Sequence, residues 1–201
     1  MPKVGMAPVR RRQVIEAVVD VLEDQGWEGL TIREVASKAG VSSGIVAHYF
    51  GDKQTMVVAA IKDAYSEFLK DLIASVAREP RPAAKLRTLI ERITPPSPST
   101  VPEWTFWIAV WGKIPFDDSV RTSLRSLYND YARFVAGIMQ AAQADTELNL
   151  SRDPDLTARQ FIAFADGLVL HCSLNPETLP PDRMRDLLCD FLSERGVNLD
   201  A

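Results

Sequence analysis

The sequence predicts an all-α protein of about nine helices, with a three-helix helix-turn-helix domain at its start and a larger helical part behind it. Three observations predict this. Apolar residues recur at i, i+3, i+4 and i+7 in one segment after another. No stretch alternates with the period of two that a half-buried strand requires. Near residues 31–50, two short helical stretches flank a tight turn that contains a glycine. The 201 residues, 46% hydrophobic and 25% charged, are enough for a sizeable core. A mean hydropathy of −0.06 and the lack of an apolar run near twenty residues exclude a membrane span. No apolar stretch follows Met1-Pro2-Lys3, so no signal peptide is read.

The first helix runs from about residue 8 to residue 25, with Ile15, Val18, Val19 and Leu22 on one face and acids mostly on the other. Pro8 suits its first turn and Gly26 its stop. Thr31 and Glu34 form a capping-box signal for a second helix striped by Ile32, Val35, Ala36 and Ala39. Gly40 is placed to end that helix in the left-handed conformation. Ser42 then caps a third helix through Phe50, and the small Ala36 and Ala39 allow a close crossing. Asp52 caps a long fourth helix that points Met56, Val57, Ala60, Ile61, Ala64, Phe68, Leu72 and Val76 inward.

Glu79-Pro80-Arg81-Pro82 marks a boundary. The expected organisation is 1–51 for the helix-turn-helix domain, 52–79 for a connecting helix and 80–201 for a second helical domain. Leu86, Leu89, Ile90 and Ile93 stripe a fifth helix, and four prolines in 94–102 demand an extended loop. A short aromatic helix at 103–113 stops before Pro115, and a long amphipathic one follows at 118–144. After an Asp-rich loop, Asp153-Pro154 opens a helix reaching about residue 174. The last helix occupies 182–195.

Charge is unevenly placed. Residues 1–78 carry ten basic and ten acidic side chains, and residues 79–201 carry thirteen and seventeen. The first fifteen residues hold Lys3, Arg10, Arg11 and Arg12 and no acid. A basic start on a neutral domain permits local phosphate contact despite a net charge of −4. Cys172 and Cys189 are too few for a disulfide scaffold and lack metal-ligand spacing, so they are expected to be reduced thiols in the cytoplasm. No metal or cofactor is expected.

Thr31-Ile32-Arg33-Glu34-Val35-Ala36, Ala39-Gly40-Val41-Ser42, Gly44, His48-Tyr49-Phe50 and Asp52-Lys53 closely resemble the DNA-binding signature of the TetR family of bacterial transcriptional regulators. Met1 to Met6, Arg10-Arg11-Arg12-Gln13, Gly44-Ile45 and the tryptophan segment near Trp107 resemble the choline-responsive betaine-pathway repressors, the BetI subgroup. The resemblance implies that the third helix enters the major groove of double-stranded DNA. It places Ser42, Ser43, Gly44 and Ala47 at bases or the sugar-phosphate rail. His48, Tyr49 and Lys53 would hold phosphates, and Thr31 would cap the second helix near the backbone. Many relatives carry tyrosine where this chain has Ala47, whose methyl can meet a thymine methyl but cannot donate a hydrogen bond. Arg10, Arg11 and Arg12 are read as a minor-groove arm.

Trp104, Trp107 and Trp111, at i, i+3 and i+7, put three indoles on one helical face, with Tyr65 and Phe68 of the fourth helix as candidate neighbours. Such a face is either an aromatic core contact or a cage for a quaternary ammonium, which offers no hydrogen-bond donors and is held by ring faces. Phe161, Phe164, Gly167, Leu168, Leu188 and Phe191, on the last two helices, are candidate contacts of a homodimer built as a four-helix bundle. The function expected is a dimeric repressor released from a palindromic operator by a small molecule. A polyamine or an apolar or aromatic effector is the alternative within the class. A small helical carrier or enzyme is the alternative outside it, and no nucleophile–base pair is visible to support it.

Overall fold

The computed structural model describes residues 6–94, 104–144, 153–197 and 199. Among them, nine α-helices supply all the regular structure: α1 (Met6–Gly29), α2 (Ile32–Lys38), α3 (Ser43–Phe50), α4 (Lys53–Val76), α5 (Pro82–Ile93), α6 (Thr105–Lys113), α7 (Asp118–Ala144), α8 (Pro154–Leu174) and α9 (Pro181–Ser193). The all-α reading holds. Lys3, the prolines at 95–102 and the loop expected after residue 144 lie outside the described residues.

Local chemistry starts these helices where the sequence requires it. The Thr31 hydroxyl accepts from the Glu34 amide at 3.1 Å, and the Asp52 carboxylate accepts from the Thr55 amide at 2.7 Å. Ser42 caps α3 more loosely, taking the Ile45 amide at 3.4 Å. The capping box is one-sided, because the Glu34 carboxylate accepts instead from the Gln25 side chain at 3.2 Å. Gly40 leaves α2 at φ 65°, a conformation closed to most side chains.

The start of α1 differs from the sequence reading, and one further helical turn follows its stop. The helix begins at Met6, before Pro8, and Arg10, Arg11 and Arg12 are helical, as a start near residue 8 already requires. Its regular turns end at Gly26, as the sequence reading expects. That residue, at φ 64° and ψ −164°, bends the chain, and helix resumes through Gly29.

The chain forms two compact units. The first combines residues 1–67 with 102–125, and the second combines 68–101 with 126–201. The core of the first holds Val18, Leu22, Leu30, Val35, Val46, Met56, Ile61 and Val110, all at most 1% exposed. There α1 packs on α2 and, far along the chain, on α6. The core of the second holds Leu86, Leu89, Met139, Phe161, Met184 and Leu188, each sealed from water. There α9 packs on α8 and α5.

Candidate DNA-binding and effector-binding sites

In α3 the two faces separate cleanly. Val46 and Phe50 point into the first unit's core, at 1% and 6% exposure. Ser42, Ser43, Gly44, Ala47 and His48 are exposed on the other side. Tyr49 is half-buried, its ring meeting the edge of His48 at 5.4 Å. Lys53 and Thr31 are exposed at the first turns of α4 and α2. The exposed and half-buried residues of α3 and of the starts of α2 and α4 thus carry hydroxyls, an imidazole, a phenol and an ammonium. Gly44 has room for a side chain: an added Cβ would meet only the Ser42 hydroxyl, at 3.8 Å. Nothing inside the chain demands glycine there, where it costs helix stability of about 1 kcal/mol.

The arginines read as a minor-groove arm lie on α1. The Arg11 guanidinium lies 5.4 Å from the centre of the Phe50 ring, and Arg12 pairs with Glu16 at 2.9 Å.

On α6, Trp104, Trp107 and Trp111 are all half-buried. Trp107 meets Tyr65 edge-on at 5.8 Å and Phe106 at 5.0 Å. The Trp111 indole N–H is buried with no acceptor among the described residues. Phe68, expected beside the tryptophans, belongs to the second unit, where it meets Tyr131 at 6.2 Å. Sequence reasoning missed Trp27. Its indole donates to the Ala109 carbonyl of α6 at 2.7 Å, and the Lys113 ammonium sits 5.1 Å above its ring. It also missed Gln54, which donates to Asp117 at 2.8 Å and to Ser119 at 2.6 Å where α7 begins. The Asp117 carboxyl is held below its ordinary value, chiefly by the Val120 amide.

Of the residues expected at a dimer interface, Phe161, Leu168 and Leu188 are spent in the second unit's own core, at 0%, 7% and 0% exposure. Phe164 stacks on Phe191 at 5.4 Å, and the Arg195 guanidinium covers the Phe191 ring at 3.5 Å. A different α8 stripe faces out. Leu156, Leu170 and Leu174 are 50%, 44% and 70% exposed, and Ala163 and Gly167 lie between them at heptad spacing. Also on α8, and not read as a site residue from the sequence, is Asp166, a carboxylate in the middle of an apolar helix. The Tyr128 hydroxyl donates to it, and burial raises its pKa to about 6. The signal for it was present in the sequence as an acid inside an apolar run.

Among the described residues no group of His, Cys, Asp or Glu can hold a metal ion, and no helix is long and apolar enough to cross a membrane. Both cysteines are free thiols.

Residues 14–60 match the bacterial regulatory proteins of the tetR family, and residues 82–196 match the C-terminal part of the BetI-type transcriptional repressors. The chain belongs to the TetR family, as a BetI-type repressor. Similar proteins include the BetI regulator of Paraburkholderia phymatum, 34% identical with 96% of this chain and 95% of that one covered. A BetI of Chromohalobacter salexigens is 30% identical over 97% and 94% of the two chains. In fold, the repressor is similar to a transcriptional regulator from Saccharomonospora viridis in complex with choline, with a TM-score of 0.85 and 21% identity over 95% and 99% of the two chains. It is a DNA-binding transcriptional regulator and not an enzyme.

Proposed function

We propose that this repressor works in the cytoplasm as a homodimer, grips a palindromic operator with one α3 per subunit, and releases it when a quaternary ammonium such as choline binds. The observation that carries the DNA-reading part is the outward row on α3, with a glycine that the chain's own packing does not require. A bare Gly44 lets the sugar-phosphate rail approach the helix closely. Ser42, Ser43 and the Ala47 methyl then face base edges, while Thr31, His48, Tyr49 and Lys53 bind phosphate oxygens.

Choline in the Saccharomonospora viridis regulator supports an ammonium effector here, as does the indole-rich α6. Trp107, with Tyr65 and Phe106 against it, and the neighbouring Trp104 supply ring faces. The buried Trp111 N–H suits a hydroxyl such as choline's. For the dimer, the exposed α8 stripe of Leu156, Leu170 and Leu174 is the apolar surface that a second copy would cover.

The test is a gel shift against the chain's own upstream DNA at two salt concentrations, with choline and with its neutral carbon isostere. Retardation abolished by choline alone is the expected result. Release by a polyamine or by the neutral isostere would reassign the effector, and no retardation of any upstream fragment would remove the operator.

A further inference from the structure

A cleft of about 380 Å³ lies between α1 and α4, wholly within the first unit. Its volume falls in the range that small-molecule pockets occupy. Arg11 borders it from α1. On the α4 side, Ala59, Lys62 and Ser66 follow one another at three- and four-residue steps, with Asp63 beside Lys62. Val58 and Ala59 are half-buried and give the cleft an apolar patch. Lys62 and Ser66 are exposed, and Asp63 is half-buried.

Arg11, Lys62 and Asp63 enter no ion pair among the described residues, although neighbouring charges of the same unit do. Arg12 pairs with Glu16 and Lys38 with Asp24, each at 2.9 Å. Arg12 is also within electrostatic range of Asp63, but its hydrogen bond goes to Glu16. Two cations and one anion therefore share the cleft without closing it by a salt bridge. Arg11 is positioned in advance, its guanidinium 5.4 Å from the centre of the Phe50 ring.

We infer that this cleft is a second ligand site, for a small zwitterion whose carboxylate meets Arg11 and Lys62 and whose ammonium meets Asp63. The charge pattern decides the class. A simple anion is repelled by Asp63, and a simple cation by Arg11 and Lys62. A molecule with both charges a few carbons apart satisfies all three. Arg11 offers the planar fork that holds a carboxylate by two bonds, and Lys62 adds a point charge. The Ser66 hydroxyl can donate to the carboxylate or accept from the ammonium. None of this depends on the α6 tryptophans or on choline as effector.

Calorimetry on the full chain at neutral pH tests it, with glycine, β-alanine and 4-aminobutyrate as probes that carry the two charges at increasing separation. Acetate and methylammonium are the one-ended controls. One of the zwitterions should bind roughly tenfold more tightly than either control. Asp63→Asn should lower that affinity to the level of acetate while leaving acetate binding no weaker, and Asp63→Glu should restore it. Arg11→Gln and Lys62→Gln should each weaken the zwitterion about three- to fivefold. Trp107→Leu should leave its affinity unchanged, because α6 does not line the cleft. Thermal melts of each variant check the fold. Acetate binding as tightly as the best zwitterion, or full zwitterion affinity in Asp63→Asn, would overturn the assignment. So would loss of zwitterion binding in Trp107→Leu, or the failure of all three probes to bind, whatever choline does.

Discussion

Lys53 stands exposed at the first turn of α4, beside the turn that ends α3. A phosphate contact there is independent of base sequence. Lys53→Ala is therefore expected to weaken binding to operator and unrelated DNA alike and to reduce the salt slope by about one. Titrations at several salt concentrations check it, and an unchanged slope would place Lys53 off the DNA. Asp166 carries a prediction about stability as well. Its carboxyl titrates near 6 in the folded chain against an ordinary 3.8. Below about pH 4 both folded and unfolded chains hold the proton and the group costs nothing. Between about 4 and 6 the unfolded chain loses its proton first, and above 6 the full cost applies, on the order of 2–3 kcal/mol. Asp166→Asn should thus melt higher than wild type at pH 7.5, with the gap closing as pH falls toward 4. A gap independent of pH would mean that the carboxylate is well solvated.

At the scale of elements, Trp27 holds α6 to α1 by a hydrogen bond spanning 82 residues of sequence. Trp27→Phe keeps a ring under Lys113 but removes the donor. It should cost about 1 kcal/mol in denaturant melts. Because α6 carries the tryptophans of the proposed effector site, the same variant should blunt the effect of choline on operator affinity. Full choline response in a destabilised protein would reduce Trp27 to packing. The caps at Thr31 and Asp52 were legible in the sequence because each joins residues three apart. Trp27 was not, because no local pattern reports a partner in another helix. Gly26 was legible as a stop, and the helix breaks there; the short turn that follows it has no periodicity to announce it. Phe68 was misplaced because α4 contributes residues to both units, and periodicity alone does not say where one ends. On α8 two faces are apolar. The sequence reading took its dimer face from Phe161, Phe164 and Leu168, and only packing shows that Phe161 faces the core and Leu170 faces outward.

For the whole molecule, the proposed release from DNA is a matter of coupling. A 100-fold loss of operator affinity on effector binding requires about 2.7 kcal/mol of differential affinity between the two states. In the proposed dimer, a change in the separation of the two reading heads would supply it. Leu170 and Leu174 contribute little to the lone chain, being 44% and 70% exposed. Leu170→Glu is therefore expected to leave helicity and melting of the monomer nearly intact while halving the mass seen by light scattering. Operator affinity should fall with it, because each half-site must then be bound separately. Phe161→Ala should behave differently, unfolding the second unit by about 3–5 kcal/mol through the cavity it leaves. If Leu170→Glu stays dimeric, the subunits meet elsewhere.

The corner at Gly26 has a consequence for handedness. Its φ of 64° and ψ of −164° are the mirror image of polyproline-like angles, a region that left-handed amino acids cannot occupy without strain. Nothing lies within 4 Å of where a Cβ would stand, so the objection to a side chain here is purely one of chirality. Chemical ligation allows a direct trial. An L-alanine at position 26 should lower the melting temperature. A D-alanine, whose own preferred conformation this is, should raise it by stiffening the unfolded chain, each by about 1 kcal/mol.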